Sequence, residues 1–479
     1  MDMFVNRKHE LAFLNSLASR RHPGPAQLVL MYGRRRIGKT VLLLTWAQRN
    51  GLPFIYWAAE KEPAALQRRK LYARIFGISI QQAPLFASWT EFWDAAAAVL
   101  TGQRRILILD ELPYAAESDP AMLSSLQHAW DHHFKDSELI IVLCGSHVRA
   151  METLLTQQSP LFGRMTGQWL LRPLEFSALS LFFPTWSLEE RIALYGIVGG
   201  VPAYLEWLDP QRTLVENIWD VILAPGSMFV AEPQFLLYDE VRDPQTYLAI
   251  LKAIGRGNHT LKDISNASLV GKAHLSAYLA TLQALRLVER RLPATIPPPR
   301  RRKSRQGRYH FTDPYFRFYF RFIDPHRAYL PAESTAMREG IKKGLRAFIG
   351  QTAFEELSQT WLRVQGQAGS LPFEPEIVGS HWSRYAQVDA VAVNWTTRDL
   401  LLGECKWTDA PIDRQVVREL VEKKTPKVLR DMSVADAGGW QVHYAFFARR
   451  GFTDAAWDYA KSHGALLIDL PHLEAGSSS

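Results

Sequence analysis

The stretch at residues 27–48, QLVLMYGRRRIGKTVLLLTWAQ, decides the fold of this chain. An apolar run at residues 27–32 leads through the loop GRRRIGKT, residues 33–40, into a segment with one apolar face. The loop fits G-x-x-x-x-G-K-[ST] at every fixed position, and a strand before it and a helix after it are the context that gives this pattern its meaning. The sequence therefore predicts a phosphate-binding loop on an α/β sheet.

The residue types in this loop suit a nucleoside triphosphate. Gly33 and Gly38 let backbone amides close around phosphate oxygens, and the following helix turns its N–H groups and its dipole toward the same anion. Lys39 reaches the β- and γ-phosphates, and the Thr40 hydroxyl binds Mg²⁺. A glycine turn before a helix is the plain alternative, which the complete match disfavours. We predict a nucleotide-binding set of Gly33, Arg34, Arg35, Arg36, Ile37, Gly38, Lys39, Thr40 and Val41.

Two acids follow a second buried strand. The run RRILILDELPYA, residues 104–115, is apolar over residues 106–109 and continues with Asp110 and Glu111. A hydrolysing enzyme with such a loop needs a carboxylate for its metal and a group that activates water, and both usually lie at the end of a neighbouring strand. We predict Asp110 as a Mg²⁺ ligand and Glu111 as the general base. The alternative is that the two acids cap a helix.

Two further residues follow or precede apolar runs. Ser146 comes after residues 138–144, where its hydroxyl could sense the γ-phosphate or position the water, although a Gly-Ser turn is ordinary. Arg164 lies beside a glycine and ahead of another apolar run, so it could supply positive charge within the chain or across the interface of a homo-oligomer. A solvated loop arginine is the alternative. We predict catalytic roles for both residues.

Composition narrows the class of protein. The chain has 479 residues, a formal net charge of +8, and 47% hydrophobic against 22% charged residues, which indicates a globular protein of about three domains. Its cysteines, Cys144 and Cys405, lie in apolar segments and cannot form a disulfide framework, which favours a reducing compartment. The amino terminus lacks the apolar core of a signal peptide, and no run approaches the ~18 apolar residues of a membrane span. We expect a cytoplasmic protein with no membrane partner.

Six segments together resemble a known family. They are FVNRKHELAFL, GRRRIGKT, LILDELPYA, LCGSH, SPLFGRMTG and GGVPAYL. As a set they are similar to the archaeal and bacterial P-loop ATPases with a DE-type acidic box, which are allied to the STAND group of signalling ATPases. The resemblance implies ATP as the nucleotide, an Arg7 that lies with Glu10 close to the base, and a helical lid around Pro202. It implies a P-loop ATPase domain with its lid at residues 1–235.

The middle of the chain, residues 236–330, has the pattern of a winged helix. Helical patterns at residues 247–254, 261–267 and 272–285 precede a strand-like LVERRLP. The third helix could enter a DNA groove, but allied ATPases use this fold as a clamp on their own nucleotide site, so both roles stay open. The basic arm, PPPRRRKSRQGRYHF at residues 297–311, follows the first strand of the wing. We predict that it contacts the phosphates of nucleic acid, with double-stranded DNA as the expected partner, through Arg300, Arg301, Arg302, Lys303, Arg305 and Arg308.

The last domain, residues 331–472 before a tail at 473–479, carries a second acidic set. The order of its elements reads α-β-β-β-α, with Asp389 on the second strand and the segment ECK, residues 404–406, on the third. This order resembles the PD-(D/E)XK nuclease fold, which implies Asp389 and Glu404 as metal ligands, Lys406 as the catalytic cation and Glu355 as a further ligand. Two carboxylates with Mg²⁺ activate water, and a lysine neutralises the developing charge. A buried salt-bridge cluster, or a decayed nuclease fold that only binds nucleic acid, is the alternative.

The sequence therefore predicts an α/β protein in which a P-loop sheet with a helical lid is followed by a winged helix and a restriction-endonuclease-like domain. The predicted function is ATP binding and hydrolysis that controls a Mg²⁺-dependent nuclease acting on DNA. The alternative is a STAND-type ATP/ADP switch whose later domains bind partners or DNA without cleavage. A motor that translocates on DNA is a third hypothesis.

Overall fold

The computed structural model describes residues 6–20, 24–241, 243–327, 335–432 and 439–476. The chain divides into two compact units. Unit 1 comprises Met1–Leu174 with Val201–Tyr204, and unit 2 comprises Glu175–Gly200 with Leu205–Ser479. The predicted domain boundaries at residues 235, 330 and 472 stay a prediction.

Unit 1 is a parallel sheet covered by helices. Its strands are β1 (Gln27–Tyr32), β2 (Phe54–Ala58), β3 (Arg105–Asp110), β4 (Leu139–Gly145) and β5 (Gly167–Leu170). They lie in the order β2-β3-β4-β1-β5, and all of the pairings are parallel. Its helices are α1 (Lys8–Ser19), α2 (Lys39–Asn50), α3 (Ala64–Phe76), α4 (Trp89–Thr101), α5 (Leu112–Ser118), α6 (Ala121–Ala129) and α7 (Val148–Thr153).

The predicted strands of unit 1 form because their side chains are buried on both faces of the sheet. Every residue of β1 and β4 is buried. Along β1, Leu28 and Leu30 belong to one hydrophobic core while Val29 and Met31 belong to the other, as the alternation of a strand requires. Because β4 pairs with both β1 and β3, the loops after these strands meet at one edge of the sheet. That edge holds the phosphate-binding loop, the two acids and Ser146.

Unit 2 begins with the helices of the predicted lid. These are α8 (Leu179–Phe182), α9 (Leu188–Val198), α10 (Pro202–Glu206, whose first residues belong to unit 1), α11 (Leu214–Asn217) and α12 (Met228–Glu240). Helix α9 starts at a capping box, in which Ser187 and Glu190 satisfy each other's backbone N–H groups.

The middle of unit 2 has the element order of a winged helix. It comprises α13 (Pro244–Gly255), α14 (Leu261–Ser268), α15 (Lys272–Ala284), β6 (Val288–Arg291), α16 (Pro298–Arg301) and β7 (Arg308–Phe311). Strands β6 and β7 pair antiparallel, so the basic arm follows the first strand of a hairpin and ends in the second. The aromatic helix α17 (Pro314–Phe318) continues as a π-helical turn at Tyr319–Ile323. Its rings are buried in the protein, so they are not available to stack on bases.

The carboxyl-terminal part of unit 2 is a mixed sheet flanked by helices. Its helices are α18 (Thr335–Ile349), α19 (Glu355–Gln367), α20 (Arg414–Arg418), α21 (Thr425–Asp431), α22 (Asp454–Ser462) and α23 (Leu470–Gly476), and π-helical turns join α18 to α19 and α20 to α21. Its strands are β8 (Ile377–Trp382), β9 (Gln387–Asn394), β10 (Asp399–Lys406), β11 (Gln441–Ala448) and β12 (Leu466–Asp469), in the order β12-β11-β10-β9-β8. The predicted hairpin of β9 and β10 is antiparallel, whereas β10, β11 and β12 run parallel.

One predicted strand of this sheet is displaced. The segment FEPEIVG, residues 373–379, predicts the first strand of the α-β-β-β-α order, but β8 runs from Ile377 to Trp382. Pro375 lies inside the predicted range and has no N–H to donate to a sheet, so regular pairing begins after it. Pro375 instead packs against α19, where a Cβ atom on Gly366 would lie 2.4 Å from its ring.

None of the described helices combines the length and the apolar character that crossing a membrane requires.

Candidate functional site

The phosphate-binding loop is closed tightly on its own backbone. Gly38 has φ 84°, a left-handed conformation that suits glycine. At Gly33 a Cβ atom would lie 2.5 Å from the backbone oxygen of Leu171, so no side chain fits there. The buried Lys39 ammonium donates to the carbonyl oxygens of Gly33 and Arg34 at 2.9 and 3.0 Å. Phosphate oxygens could replace these carbonyls as acceptors, which is the exchange that a nucleotide site needs.

Arg7 hydrogen-bonds to the backbone of the phosphate-binding loop. Its side chain is buried, and it donates to the carbonyl oxygens of Ile37 and Arg172 at 2.9 Å each and to Glu10 at 3.0 Å. Burial lowers the pKa of Arg7, and the Glu10 carboxylate opposes that shift. The resemblance implied a place close to the base, and the described contacts of Arg7 are with the loop backbone, the Arg172 carbonyl and Glu10. They support a positioning role.

The first residues of α10 touch the loop. The backbone N–H of Ala203 donates to the Arg36 carbonyl at 3.4 Å, and Arg34 Nη2 donates to the Tyr204 hydroxyl at 2.8 Å. Pro202 lies 4.0 Å from where a Cβ atom of Gly38 would be. The predicted turn around Pro202 thus lies against the phosphate-binding loop within unit 1.

Two more residues of the predicted nucleotide set lie at its margins. Arg35 Nη2 donates to the Tyr114 hydroxyl at 2.7 Å. Val41 has an exposed side chain, but its N–H belongs to the first turn of α2, where N–H groups lack partners within the helix.

Asp110 joins the loop to the neighbouring strand. Its buried carboxylate accepts from the Thr40 hydroxyl at 2.7 Å, from the Tyr56 hydroxyl at 3.1 Å and from the Glu111 N–H at 2.9 Å. Burial and Asp110 raise the pKa of Tyr56, which therefore stays a neutral donor. The Thr40 and Asp110 oxygens are ligands that Mg²⁺ prefers, so this pair fits the metal. Sequence reasoning missed Tyr56, because only the order of the sheet brings the end of β2 beside β3.

Glu111 is held by Ser146. The Glu111 backbone has φ 49°, a left-handed conformation that is rare outside glycine and often marks a functional position. The Ser146 hydroxyl lies 2.8 Å from both carboxylate oxygens of Glu111, and the Ser146 N–H donates to one of them at 3.2 Å. The structure therefore brings together Thr40, Asp110, Glu111 and Ser146, which were predicted from three separate segments.

Arg164 has other partners. Its guanidinium makes a two-pronged contact with Asp131, at 2.9 and 2.7 Å, and donates to the carbonyl oxygens of Pro160 and Phe162. The pairing raises the pKa of Arg164 and lowers that of Asp131. A catalytic role for Arg164 would require it to leave Asp131.

The second acidic set lies on β9 and β10 of unit 2. Glu404 is buried, and its two oxygens accept from Lys406 at 2.8 Å and from Lys424 at 2.5 Å. Asp389 accepts from the Cys405 N–H at 3.1 Å, and burial together with Glu404 raises the pKa of Asp389 to about 6. Burial lowers the pKa of Lys406, but Glu404 and Asp389 outweigh it, so the pKa rises. Lys424 is a member of this set that sequence reasoning missed.

Glu355 lies at the start of α19, close to the same acids. Burial, and next the charge of Asp389, raise the pKa of Glu355 to about 9. Within the part of the chain that the structure describes, no group of three or more His, Cys, Asp or Glu side chains could hold a metal ion. The metal role of Glu355 stays a prediction, and so does the Mg²⁺ site of Asp389 and Glu404, whose carboxylate oxygens are of the type that Mg²⁺ prefers.

The basic arm is partly docked. Arg300, Arg302, Lys303 and Arg305 are exposed, as a phosphate-contacting role requires. Of the other predicted contacts, Arg301 donates to the Pro293 carbonyl at 3.1 Å, and Arg308 lies 5.0 Å from the centre of the Trp382 ring.

Two family models match the chain. Residues 4–208 match an ATPase domain predominantly from Archaea, and residues 319–425 match archaeal and bacterial proteins of unknown function. The first match covers the phosphate-binding loop, Asp110 and Glu111, and the start of α10. The second covers Glu355, Asp389 and Glu404 and attaches no activity to them.

Two relatives come from Methanocaldococcus jannaschii. An uncharacterized protein is 32% identical over 457 residues, which cover 94% of this chain and 96% of the relative. An uncharacterized ATP-binding protein is 51% identical over 41 residues, 9% of this chain and 64% of the relative.

Two solved structures are similar at low identity. The Walker-type ATPase of Pyrococcus abyssi has a TM-score of 0.44 and 20% identity, and the match covers 66% of this chain and 96% of that one. The ORC2 protein of Aeropyrum pernix, in ADPNP and ADP complexes, has a TM-score of 0.44 and 16% identity, and the match covers 71% and 94%. The near-complete match to the first M. jannaschii protein shows that this chain belongs to the family of that protein, and its amino-terminal part is a P-loop ATPase domain.

Proposed function

We propose that this protein hydrolyses ATP at the edge of the parallel sheet and that the nucleotide state controls Mg²⁺-dependent cleavage of DNA in unit 2. The observation that carries the first half is the hydrogen-bonded row from Thr40 through Asp110 and Glu111 to Ser146. It joins a metal-binding pair to a carboxylate that is held by a hydroxyl.

Hydrolysis would proceed by attack of water on the γ-phosphorus. Glu111 accepts a proton from the water, the new P–O bond forms, and the bond from the γ-phosphorus to the bridging oxygen breaks, which leaves ADP and phosphate. Lys39 exchanges its two carbonyl acceptors for phosphate oxygens and offsets their charge. Mg²⁺, held by Thr40 and Asp110, supplies further neutralisation when it is bound.

Cleavage of DNA would use the second acidic set. Asp389 and Glu404 are oxygen ligands on neighbouring antiparallel strands, and Lys406 lies two residues beyond Glu404 on the same face. The raised pKa of Asp389 reflects burial and a second carboxylate close by, an arrangement that a divalent cation stabilises. Water would attack the phosphorus and form a new P–O bond while the bond to the leaving sugar oxygen breaks, and the proton lost by the water balances the one gained by that oxygen. Lys406 would stabilise the charge that develops on the phosphate.

A second candidate function is a nucleotide-dependent switch that binds DNA without cutting it. Both oxygens of Glu404 are occupied by lysines, and Lys424 has no counterpart in the predicted nuclease set. An ion-paired carboxylate of this kind is a weaker metal ligand, because the metal must displace an ammonium group.

One pair of assays tests the proposal. ATP hydrolysis is measured for the wild type, Glu111→Gln and the control Glu117→Gln, an exposed acid on α5. Cleavage of DNA is measured with Mg²⁺ and Mn²⁺ for the wild type, Lys406→Ala and the control Lys423→Ala, an exposed lysine on the same helical segment as Lys424.

We expect Glu111→Gln and Lys406→Ala each to lose one activity while the controls keep both. If Lys406→Ala cleaves as fast as the wild type, or the wild type does not cleave, the nuclease part fails and the switch remains. Undiminished hydrolysis by Glu111→Gln contradicts the ATPase part.

A further inference from the structure

We propose that a groove in unit 2, between the basic arm and the residues that follow β8, binds a single strand of nucleic acid. The inference names the substrate class for the proposed action on DNA and rests on it. The groove is a cavity of about 840 Å³, and the arm and the carboxyl-terminal sheet both contribute to its lining. Neither family model assigns a ligand to it.

The groove exists because the arm docks along an edge strand. Strand β8 lies at the edge of its sheet, where the N–H and C=O groups on one side lack a strand partner. The Ala294 N–H donates to the Ser380 carbonyl at 2.8 Å, and the Trp382 indole N–H donates to the Gln306 carbonyl at 3.1 Å. Ala294 and Gln306 lie on either side of residues 300–305, so the two contacts hold these residues in place as one wall of the groove.

The walls of the groove carry positive charge. Arg300, Lys303 and Arg305 line it from the arm, and Arg384 lines it from beyond β8; all four side chains are exposed. Among the described residues that line the groove, the acidic one is Asp431. Cations on both sides of a groove of this size fit the phosphates of a strand that runs along it.

A stacking surface lies beside these cations. The Tyr385 ring is 39% exposed, with the Arg430 guanidinium 4.0 Å and the Arg384 guanidinium 4.4 Å from its centre. Bases stack on aromatic rings and on guanidinium planes. This layered set of one ring and two guanidinium groups offers a flat surface on which a base can stack. A site that bound phosphate alone would not need the ring.

A buried histidine in the lining joins β8 to its neighbours. His381 is 2% exposed, and one ring nitrogen pairs with the Thr295 hydroxyl at 2.7 Å. Its Nε2 atom faces an oxygen of Asp431 at 3.4 Å. Burial lowers the pKa of His381, and Asp431 opposes that shift. These contacts hold β8 against Thr295, just ahead of the arm, and against α21, so the lining of the groove is built by the protein itself.

The form of the ligand follows from the stacking surface and the volume. In a duplex the faces of the bases are covered by their neighbours, whereas a single strand can present them to the layered set of Tyr385, Arg384 and Arg430. A cavity of about 840 Å³ is the size that takes a drug-sized ligand, which corresponds to a few nucleotides of one strand.

The test is equilibrium binding of the full chain to labelled twelve-residue oligothymidylate in EDTA, followed by fluorescence anisotropy. Competitors are the matching duplex and an abasic phosphodiester strand of the same length. We expect oligothymidylate to bind at least tenfold more tightly than either competitor. Tyr385→Ala should weaken binding by about tenfold or more, while Tyr385→Phe keeps the ring and the affinity. Arg305→Ala should weaken binding and lower its salt dependence.

Matched controls separate the groove from the rest of the surface. Trp457→Ala removes an aromatic side chain that is 47% exposed and lies beside Lys461, and Lys343→Ala removes one exposed charge on α18; both should bind as the wild type does. The inference is overturned if Tyr385→Ala binds as tightly as the wild type, if the abasic strand or the duplex competes equally, or if no strand binds. Binding in EDTA does not depend on hydrolysis or cleavage. A wild type that binds the strand but neither hydrolyses ATP nor cleaves DNA would refute the proposed function and would still support binding in the groove.

Discussion

At the scale of single residues, the two acidic sites differ in what holds their carboxylates. Glu111 is held by the hydroxyl and N–H of Ser146, which are neutral donors, so it remains able to accept a proton. Glu404 is held by the ammonium groups of Lys406 and Lys424. The first arrangement suits a base, and the second suits a ligand that exchanges one cation for another. Under the proposed function, chemistry at the first site therefore depends on the orientation of Glu111, and chemistry at the second depends on a bound metal ion.

Replacing Ser146 with alanine tests whether ATP hydrolysis depends on the orientation of Glu111. The Ser146→Ala variant loses the hydroxyl that orients Glu111, and a hydrogen bond to a charged group is worth about 1.5–3 kcal/mol. We expect ATP turnover to fall about 10- to 100-fold while ATP still binds, because Lys39 and the loop are untouched. Turnover and nucleotide affinity are measured separately, with Ser124→Ala, an exposed serine on α6, as the control. Equal losses of affinity and turnover would contradict a role in orienting the base.

Replacing Asp389 with asparagine tests whether the second acidic set binds a metal ion. The pKa of Asp389, raised to about 6, lies above its unfolded value, so the ionised carboxylate destabilises the folded protein at pH 8. We expect Asp389→Asn to raise the melting temperature in EDTA by about 2–4 °C, as about 1 kcal/mol would. Added Mg²⁺ should stabilise the wild type and not the variant.

The exposed Asp458→Asn is the matched control for Asp389→Asn and should leave both melting temperatures unchanged. A variant that melts below the wild type in EDTA would show that the Asp389 charge stabilises the fold, through Lys406 and Lys424, and that this carboxylate is not a strained metal ligand.

At the scale of elements, the sequence predicted the strands whose burial is complete. Strands β1, β3 and β4 are uniform apolar runs that end in functional residues, and that pattern is legible without the fold. Tyr56 was not predictable in the same way, because its contact with Asp110 depends on the pairing of β2 with β3. Sheet order is a tertiary property that no local pattern carries.

Lys424 escaped prediction for a different reason. It ends the π-helical turn Glu419–Lys424 between α20 and α21. Such a turn inserts an extra residue and rotates the helix face, so the spacing of an ordinary α-helix does not place Lys424 toward Glu404. The late start of β8, at Ile377, also has a local cause, because Pro375 interrupts a sequence pattern that otherwise resembles a strand.

The hairpin of β6 and β7 contains a histidine, His310, that makes the stability of the folded protein depend on pH. The rings of His259 and His310 stack with centres 4.3 Å apart, and burial, then His259, lower the pKa of His310 to about 2. Arg291, Arg317 and Arg308 act in the same direction. Since this pKa lies below the unfolded value near 6.5, the unfolded chain binds a proton that the folded chain excludes, and stability is lost as pH falls below about 6.5.

We therefore expect His310→Gln to lose less stability than the wild type between pH 7 and pH 5. The contribution of one histidine has a slope of at most about 1.4 kcal/mol per pH unit. Melting temperatures across that range provide the measurement, with His274→Gln, an exposed histidine on α15, as the control. Parallel curves for the wild type and His310→Gln would show that other groups cause the acid sensitivity.

At the scale of the whole molecule, the phosphate-binding loop belongs to unit 1 and the second acidic set to unit 2, and the proposed control has a route along the chain. The chain passes between the units on either side of Val201–Tyr204, the segment whose Tyr204 accepts from Arg34 of the phosphate-binding loop. Just before it in unit 2 is α9, where a Cβ atom on Gly196 would lie 3.0 Å from the Ala353 side chain. Ala353 is two residues from Glu355, so a continuous stretch of chain and packing joins the loop to the second site.

This path predicts that Tyr204→Phe separates hydrolysis from its effect on DNA. The variant keeps the ring and loses the hydroxyl that binds Arg34, so Lys39, Asp110 and Glu111 should still turn over ATP at nearly the wild-type rate. Coupling between sites is typically worth 1–3 kcal/mol, which is a change of about 5- to 150-fold in the affinity or rate that ATP controls. We expect the ratio of DNA cleavage with ATP to cleavage without it to fall toward one in Tyr204→Phe, while Tyr238→Phe, a tyrosine that is 57% exposed, keeps the wild-type ratio. If Tyr204→Phe hydrolyses ATP and retains the full effect of ATP on DNA, control takes another route than this segment. A wild type whose DNA activity ignores ATP would show that the two sites act independently in this chain.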